Sequence, residues 1–416
     1  MYSGKIPYPL FGIPLVFTLS GLPASIGAAA DRDTITVTWE QVAKTVDSHP
    51  LLQQQTHRED ASLALIEDAQ AIPNPSVEIS VARGKSDETG DSALEWGAAL
   101  TIPLDWMATR NMQTQVATSA HQSQLAEREL LRRDILRELR RLFWQTVHLQ
   151  ERTRRLGTLY QQTASLSTLI EKRIQNGDAR PMELTRIEIE QEKVASELAL
   201  ATMQRDALQI DLALWLGSNT PVRCQASLMF GTTQPPPQVS ATQLETHPAL
   251  LRAAKQLAVA QKETRLAQKN RFPEIALTLF AENELDKSAM GAGVEVAIPL
   301  WNFNRGAIAH AKAQTAAVAK EATVQRLQLE HQRLRVNAAC NASYQMARRF
   351  NTRMLPKVTE VAQKVARAYA LGEATLLEVL DARRTVLEVE AQLLDAQLQA
   401  RLDCSEVENM IGEKRE

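Results

Sequence analysis

Internal duplication limits the possible folds of this chain more than any other feature. His49-Pro50 returns as His247-Pro248, and Pro75 in "PNPSVEIS" has its counterpart in Pro273 of "RFPEIALT". Ile102-Pro103-Leu104 returns as Ile298-Pro299-Leu300. Asn176-Gly177-Asp178-Ala179 returns as Leu371-Gly372-Glu373-Ala374, and Leu216-Gly217 as Ile411-Gly412. The landmarks keep one order and nearly one offset, which is how two copies of a single structural unit look in sequence. Between the copies lies "GTTQPPPQVSATQ", whose Pro235, Pro236 and Pro237 favour a stiff, extended linker. The expected division is a first repeat over 31–217, a Pro-rich linker over 218–240, a second repeat over 241–412 and a short tail over 413–416.

Each unit carries the same pattern. A short helix comes first, announced by capping boxes at Thr38/Gln41 and Ser240/Gln243. A helix of about twenty residues follows and ends before Pro75 or Pro273, since proline disfavours helix in the residue preceding it. Two strands come next. Val77, Ile79 and Val81 alternate with Glu78, Ser80 and Ala82; after the polar "GKSDETGDS", Leu94, Trp96, Ala98, Leu100 and Ile102 alternate with Glu95, Gly97, Ala99 and Thr101. The second copy offers Ile275, Leu277 and Leu279, then Val294, Val296 and Ile298 around Glu295 and Ala297. Such a sheet has one apolar face and one polar or small face. A soluble antiparallel sheet would need a large apolar partner, and the rest of the chain offers only narrow helical stripes. Strands of this length with an apolar outer face fit a membrane β-barrel with Trp96, Leu100, Val294 and Ile298 toward lipid. Four strands cannot enclose a usable lumen, so the barrel is expected to be shared between copies of the chain.

The remainder is helical. The stretch from Pro103 to Gly177 holds no further proline, and that from Pro299 to Gly372 holds only Pro356; a helix of this length reaches on the order of 100 Å. Beyond each glycine, apolar residues recur every seven positions: Ile187, Val194, Ala201, Leu208 and Trp215, then Val379, Val386, Leu393, Ala400 and Val407, with Ala382, Val389 and Ala396 between. This is coiled-coil spacing. Pro103 and Pro299 are the expected hinges, where a strand gives way to a helix: proline ends the strand ladder and is tolerated in the first helical turn.

Composition agrees with long helices, since only 5% of residues are aromatic. A net charge of −2 and the lack of basic, aromatic-interleaved runs give no support for nucleic-acid binding. Lys5, an apolar stretch and Ala28-Ala29-Ala30 form a secretory signal peptide over residues 1–30. No later apolar run is long enough for a membrane helix. Cys224, Cys340 and Cys404 admit one bridge, for which Cys224 with Cys404 is considered, or three buried or free thiols. The histidines are scattered, with no H-x-x-x-H, H-E-x-x-H or C-x-x-C, so neither metal site nor cofactor is expected; His310 reads as a surface or packing residue. No G-x-S-x-G nucleophile motif occurs, and a passive conduit is expected rather than an enzyme.

The paired "IPL" strand exits (especially "IPLWNFNRG"), the "NP" before the first strand and "YALGEATLLEVLDARRTVLEVEAQL" resemble the TolC-like outer-membrane efflux factors over about Thr38 to Gly412. The resemblance implies a mainly α protein with a membrane β-barrel. Two tandem helix–strand–strand–helix–helix repeats would assemble as a homotrimer with a twelve-stranded barrel and a long periplasmic α-helical barrel. It implies an outer-membrane exit duct fed by an inner-membrane pump and a periplasmic adaptor. The "IPLWNFNRG" form looks most like the subgroup serving heavy-metal cation pumps, with drugs or other small molecules as the alternative cargo. In the family the helical tips meet the adaptor; the matching positions are Gly177, Asp178, Ala179, Gly372, Glu373, Ala374 and Thr375. Glycine suits the left-handed turn there, and the acid suits the start of the next helix. Acidic rings close some members just before the second tip, but "TEVAQKVARAYALG" has only Glu360 beside Lys364 and Arg367, so no acidic gate carries over. The rival from another class is a periplasmic adaptor or coiled-coil scaffold, which would have one hairpin between β-rich halves.

Overall fold

Both copies fold to the same succession of elements in the computed structural model, which describes residues 34–85, 90, 92–229, 236–284 and 287–412. The expected signal peptide over residues 1–30, the tail over 413–416 and part of the Pro-rich linker lie outside the described residues. The first copy contains β1 (Ile35–Val37), α1 (Trp39–Lys44), α2 (Pro50–Gln70), β2 (Ser76–Lys85), β3 (Ser92–Pro103), α3 (Trp106–Gln175) and α4 (Pro181–Trp215). After β4 (Val222–Cys224), the second copy gives α5 (Ala241–Glu245), α6 (Pro248–Lys269), β5 (Ile275–Glu284), β6 (Lys287–Val296), α7 (Arg305–Arg349), α8 (Leu355–Ala370) and α9 (Leu376–Ile411).

Local chemistry explains the repeated starts. Thr38 with Gln41, and Ser240 with Gln243, form reciprocal capping boxes at α1 and α5. The His-Pro pairs are caps as well. His49 Nδ1 accepts the Leu51 N–H at 3.3 Å and His247 Nδ1 accepts the Ala249 N–H at 3.2 Å, while Pro50 and Pro248 occupy the first helical position. That position needs no N–H, and proline's fixed φ suits it.

The long helices differ between copies. α3 runs unbroken for 70 residues. Its counterpart is interrupted by a π-helical turn over Phe350–Met354, next to Pro356 at the start of α8. Proline removes one helical hydrogen bond and crowds the preceding turn, and a π turn accommodates both. α4 returns along the tip-ward part of α3, and α9 returns along α8 and α7; α6 packs against both α3 and α7. The sevenfold pattern is the packed seam: Ile187, Val194, Ala201, Val379, Val389, Leu393, Ala396, Ala400 and Val407 are all buried. Two hairpins with strand pairs between them are not the single hairpin of the rival adaptor architecture.

The waist has its own core. Phe143 is fully buried between Trp39 and Trp144, with Val42, Leu52, Leu139 and Leu212 around it. A parallel two-stranded sheet of β1 and β4 closes it, pairing Ile35 with Val222 and Val37 with Cys224. The second copy's equivalent cluster contains Leu329, Val336, Val407 and Met410, and no aromatic residue. There, Cys340 of α7 and Cys404 of α9 form a disulfide with Cα atoms 4.6 Å apart. The considered Cys224–Cys404 bridge is therefore corrected. Cys224 is a free, buried thiol in the first copy's core. The bridging pair was decided by which helix faces meet, not by sequence spacing.

Candidate functional site

Strand register sorts the side chains. β2, β3, β5 and β6 form one antiparallel sheet in that order, so the two copies join at the β3–β5 seam. Directly opposed residues share a face. Val77, Leu100, Leu279 and Ala292 form one such row, Ile102, Leu277 and Val294 the next, and Val81 with Trp96 lies nearer the loops. Arg83 and Lys85 end that face on the loop side. The opposite face holds Glu78, Glu95, Glu282, Glu284 and Glu295, with Lys287 beside Glu284 as its one cation among the described strand residues. Thr101 and Thr278 hydroxyls meet at 3.2 Å across the seam on this face. Two glycines have a packing reason here: the Glu95 carboxylate lies across Gly84, and the Phe280 ring covers Gly291.

Trp96, Leu100 and Val294 thus share the apolar face. Ile298 does not extend it, because β6 ends at Val296. Val296 pairs with Ile275, the first residue of β5, and the ladder ends one step further, where the Ala297 N–H donates to the Glu274 carbonyl at 3.0 Å. Pro299 then removes a backbone donor. Ile298 instead belongs to an exposed apolar loop with Leu300, Trp301 and Phe303; Trp301 is 91% exposed.

Neither hinge proline lies in a helix, which corrects the helical half of the reason expected for them; both stand where a strand ends. Pro103 is the last residue of β3, opposite Ala276, and the Leu104 N–H still donates to the Ile275 carbonyl at 2.7 Å. α3 starts three residues after Pro103. After Pro299 the chain needs a longer connection, closed by Asn304 at φ 54° before α7 begins at Arg305. Asn304 Nδ2 donates to the Ala267 carbonyl at 3.0 Å, fixing this turn to the end of α6. Asparagine tolerates the left-handed region better than other non-glycine residues.

Both tips are Schellman turns. Gly177 has φ 83° and Gly372 φ 80°. The Asp178 N–H donates to the Arg173 carbonyl and the Glu373 N–H to the Ala368 carbonyl, each at 2.8 Å. Asp178 and Glu373 therefore belong to the closing turn and do not cap the next helix. α4 starts with Pro181, whereas α9 starts with a capping box between Thr375 and Glu378. Gly177, Asp178, Gly372, Glu373 and Thr375 are exposed; Ala179 and Ala374 are half-buried. Leu166, Ile170, Ile187, Tyr369, Leu376 and Val379 pack the two tips together, with the Arg173 guanidinium 4.9 Å from the Tyr369 ring centroid. This contact between tips carried no sequence signal, because it joins different hairpins.

Among the described residues no helix is long and apolar enough to cross a membrane, and no group of three or more His, Cys, Asp or Glu could hold a metal ion. The model of the outer membrane efflux protein family matches residues 42–218 and 239–413, one match per copy. The chain belongs to that family. An outer membrane efflux protein is a channel component of export, and membership places this one in the outer membrane of a Gram-negative cell. A similar curated relative is the cobalt-zinc-cadmium resistance protein CzcC of Cupriavidus metallidurans, 23% identical over 358 residues, covering 85% of this chain and 84% of the relative. Among solved folds, the chain resembles CusC with a TM-score of 0.77 at 15% identity, over 94% of this chain and 96% of CusC. The outer membrane protein VceC from Vibrio cholerae matches with a TM-score of 0.73 at 16% identity, over 90% of this chain and 96% of VceC. Outer membrane efflux proteins are transport proteins.

Proposed function

We propose that this outer membrane efflux protein is the exit duct of a tripartite pump for heavy-metal cations, assembled from three copies of the chain. The observation that carries the reading is the segregation of the sheet: Trp96, Leu100 and Val294 on one face, the carboxylates on the other, and β2 and β6 left as open edges. Unpaired edges cannot be left in a bilayer, because their polar backbone groups would have no partner. Pairing β6 of one copy with β2 of the next closes twelve strands, with the apolar face toward lipid and the acidic face toward the lumen. Trp301 and Phe303, exposed just beyond β6, suit the aromatic girdle at the periplasmic interface.

The excess of carboxylates on the lumen face raises local cation concentration. That excess and the likeness to a cobalt-zinc-cadmium resistance protein support metal cations over drugs as cargo. No inner-sphere site is required of a wide aqueous passage. The periplasmic adaptor docks at the tip formed by Gly177, Asp178, Ala179, Gly372, Glu373, Ala374 and Thr375, and joins the duct to the inner-membrane pump. Exposed Met182, Leu371 and Leu377 supply apolar contact area there. The signal peptide over residues 1–30 is removed on export, and the repeats over 31–217 and 241–412, joined through 218–240, each supply one strand pair and one hairpin to the duct.

The test combines fractionation with a resistance assay. A heat-modifiable trimer in outer membranes, together with sensitivity to cobalt, zinc or cadmium but not to drugs on deletion, is the expected result. A monomer in the soluble periplasm would overturn the duct, and drug sensitivity alone would overturn the cargo.

A further inference from the structure

The chain has one disulfide and three cysteines, and the order of those cysteines conflicts with the bridge. An exported chain emerges from its N-terminus, so Cys224 arrives first, Cys340 second and Cys404 last. The bridge joins the second and third, 64 residues apart. While Cys404 is still absent, Cys224 and Cys340 are the only thiols that can pair. Their separation is almost twice that of the native pair, so loop-closure entropy favours the native pairing by only a factor of about 2.4 even once all are present. Chain entropy alone does not prevent the wrong bond.

The folded molecule cannot contain that wrong bond without disrupting both waist cores. Cys224 packs with Val222, Leu228 and Phe143 in the first copy, whereas Cys340 packs with Val336 and Val407 in the second. Both bridged residues are buried, Cys340 at 0% and Cys404 at 3% exposure, so a bridge formed late finds no access for an oxidant. After folding, the Cys224 thiol is held inert, pushed up to about 12 by burial. All pairing decisions are therefore made on the unfolded chain.

We infer that the Cys224–Cys340 bond is a recurrent hazard of export, and that native assembly depends on a disulfide isomerase of the exported compartment. This rests on the reading of the chain as an exported duct. The chemistry is exchange. An exported dithiol oxidase in its disulfide form is attacked by the Cys340 thiolate, giving a mixed disulfide and one oxidase thiolate. The Cys224 thiolate then attacks the Cys340 sulfur, forming the 224–340 bond and releasing the oxidase as a dithiol that carries away two electrons. An isomerase thiolate next attacks the Cys340 sulfur, and Cys224 leaves as a thiolate. The Cys404 thiolate attacks the same sulfur, forms the native bond and releases the isomerase thiolate, with no net change in oxidation state. The native bond staples α7 to α9 where their shared core lacks aromatic residues.

The experiment expresses the full chain in a Gram-negative host with and without its periplasmic disulfide isomerase. Trimer in outer membranes is measured on unheated gels, and bridge identity by thiol alkylation and non-reducing peptide mapping. Without isomerase, the wild type should lose trimer severalfold and accumulate the 224–340 bridge. Cys224→Ala, with Cys224→Ser as a second variant, should restore trimer and the 340–404 bridge in the same host. A wild-type trimer with the native bridge in both hosts overturns the inference alone. So does a loss that neither Cys224 variant rescues. Three freely alkylated thiols in every host would overturn both the inference and the exported reading beneath it.

Discussion

Leu100 of β3 lies directly opposite Leu279 of β5, on one face of the sheet, across the seam where the first copy meets the second. The duplication is thus closed into a single surface by a pair that neither copy contains alone. A charge placed at this row should be costly in the proposed duct, where the row belongs to the apolar, lipid-facing band. Leu100→Arg is expected to destabilise the barrel by about 2–4 kcal/mol if the row is near mid-membrane. Denaturant titration of refolded protein in lipid vesicles measures this, with Thr101→Arg on the opposite face as the milder control.

Gly372 has φ 80° and open space where a Cβ would project, so substitution there strains the backbone without a clash. Gly372→Val should cost about 1–2 kcal/mol, a small part of the stability of the assembly. Trimer content should survive. On the proposed docking of the adaptor at this turn, efflux-dependent metal resistance should fall because the turn surface changes shape; Gly177→Val should behave alike. Normal resistance with a normal trimer in both variants would leave these glycines as turn residues only.

His247 caps α6 through an unprotonated Nδ1. Burial first, then the nearby Arg133 and Arg137, lower its pKa from 6.5 to about 4. The unfolded chain therefore binds this proton more readily than the folded one, so the contribution to stability is complete above pH 6.5 and is lost as pH falls through 4. His49 shifts in the same direction through burial. His247→Asn keeps a capping side chain but cannot titrate. The drop in melting temperature between pH 7 and pH 4 should be smaller in this variant than in the wild type.

Tyr369 joins the tips with its ring, while its hydroxyl is buried without a hydrogen-bond partner among the described residues. Tyr369→Phe should leave stability unchanged or raised, because the lost hydroxyl makes no bond. Tyr369→Ala should cost about 3 kcal/mol or more from the emptied volume. Hydrogen exchange at residues 166–190 would report the loosened tip in the alanine variant and not in the phenylalanine one.

Much of this was legible in the sequence where the cause is local. Period-two alternation gave the faces of β2, β3 and β5, and the sevenfold apolar repeat gave the buried seam of α4 and α9. Thr38/Gln41 and Ser240/Gln243 marked their helices because a capping box needs only residues three apart. What escaped was set by distant partners. Ile35 and Val222 pair as short parallel strands whose pattern is too brief to see. Ile298 alternates like a strand residue, but the ladder ends just before it, where the Ala297 N–H donates to the Glu274 carbonyl. A clue to the Cys340–Cys404 bridge was available, since Cys404 falls between Ala400 and Val407 on the buried helix face and Cys340 is one turn beyond Val336. Choosing that pair over Cys224 required knowing that α7 and α9 lie side by side.

The two faces of the sheet are the centre of the account, and accessibility at neighbouring positions tests them most directly. Single cysteines at Leu100, Thr101, Val294 and Glu295, in a chain whose Cys224 is replaced by alanine, would be exposed in intact outer membranes to a membrane-impermeant maleimide. The account predicts labelling at positions 101 and 295 through the lumen and little at 100 and 294. Equal labelling of both members of each adjacent pair, or the reverse alternation, would contradict it.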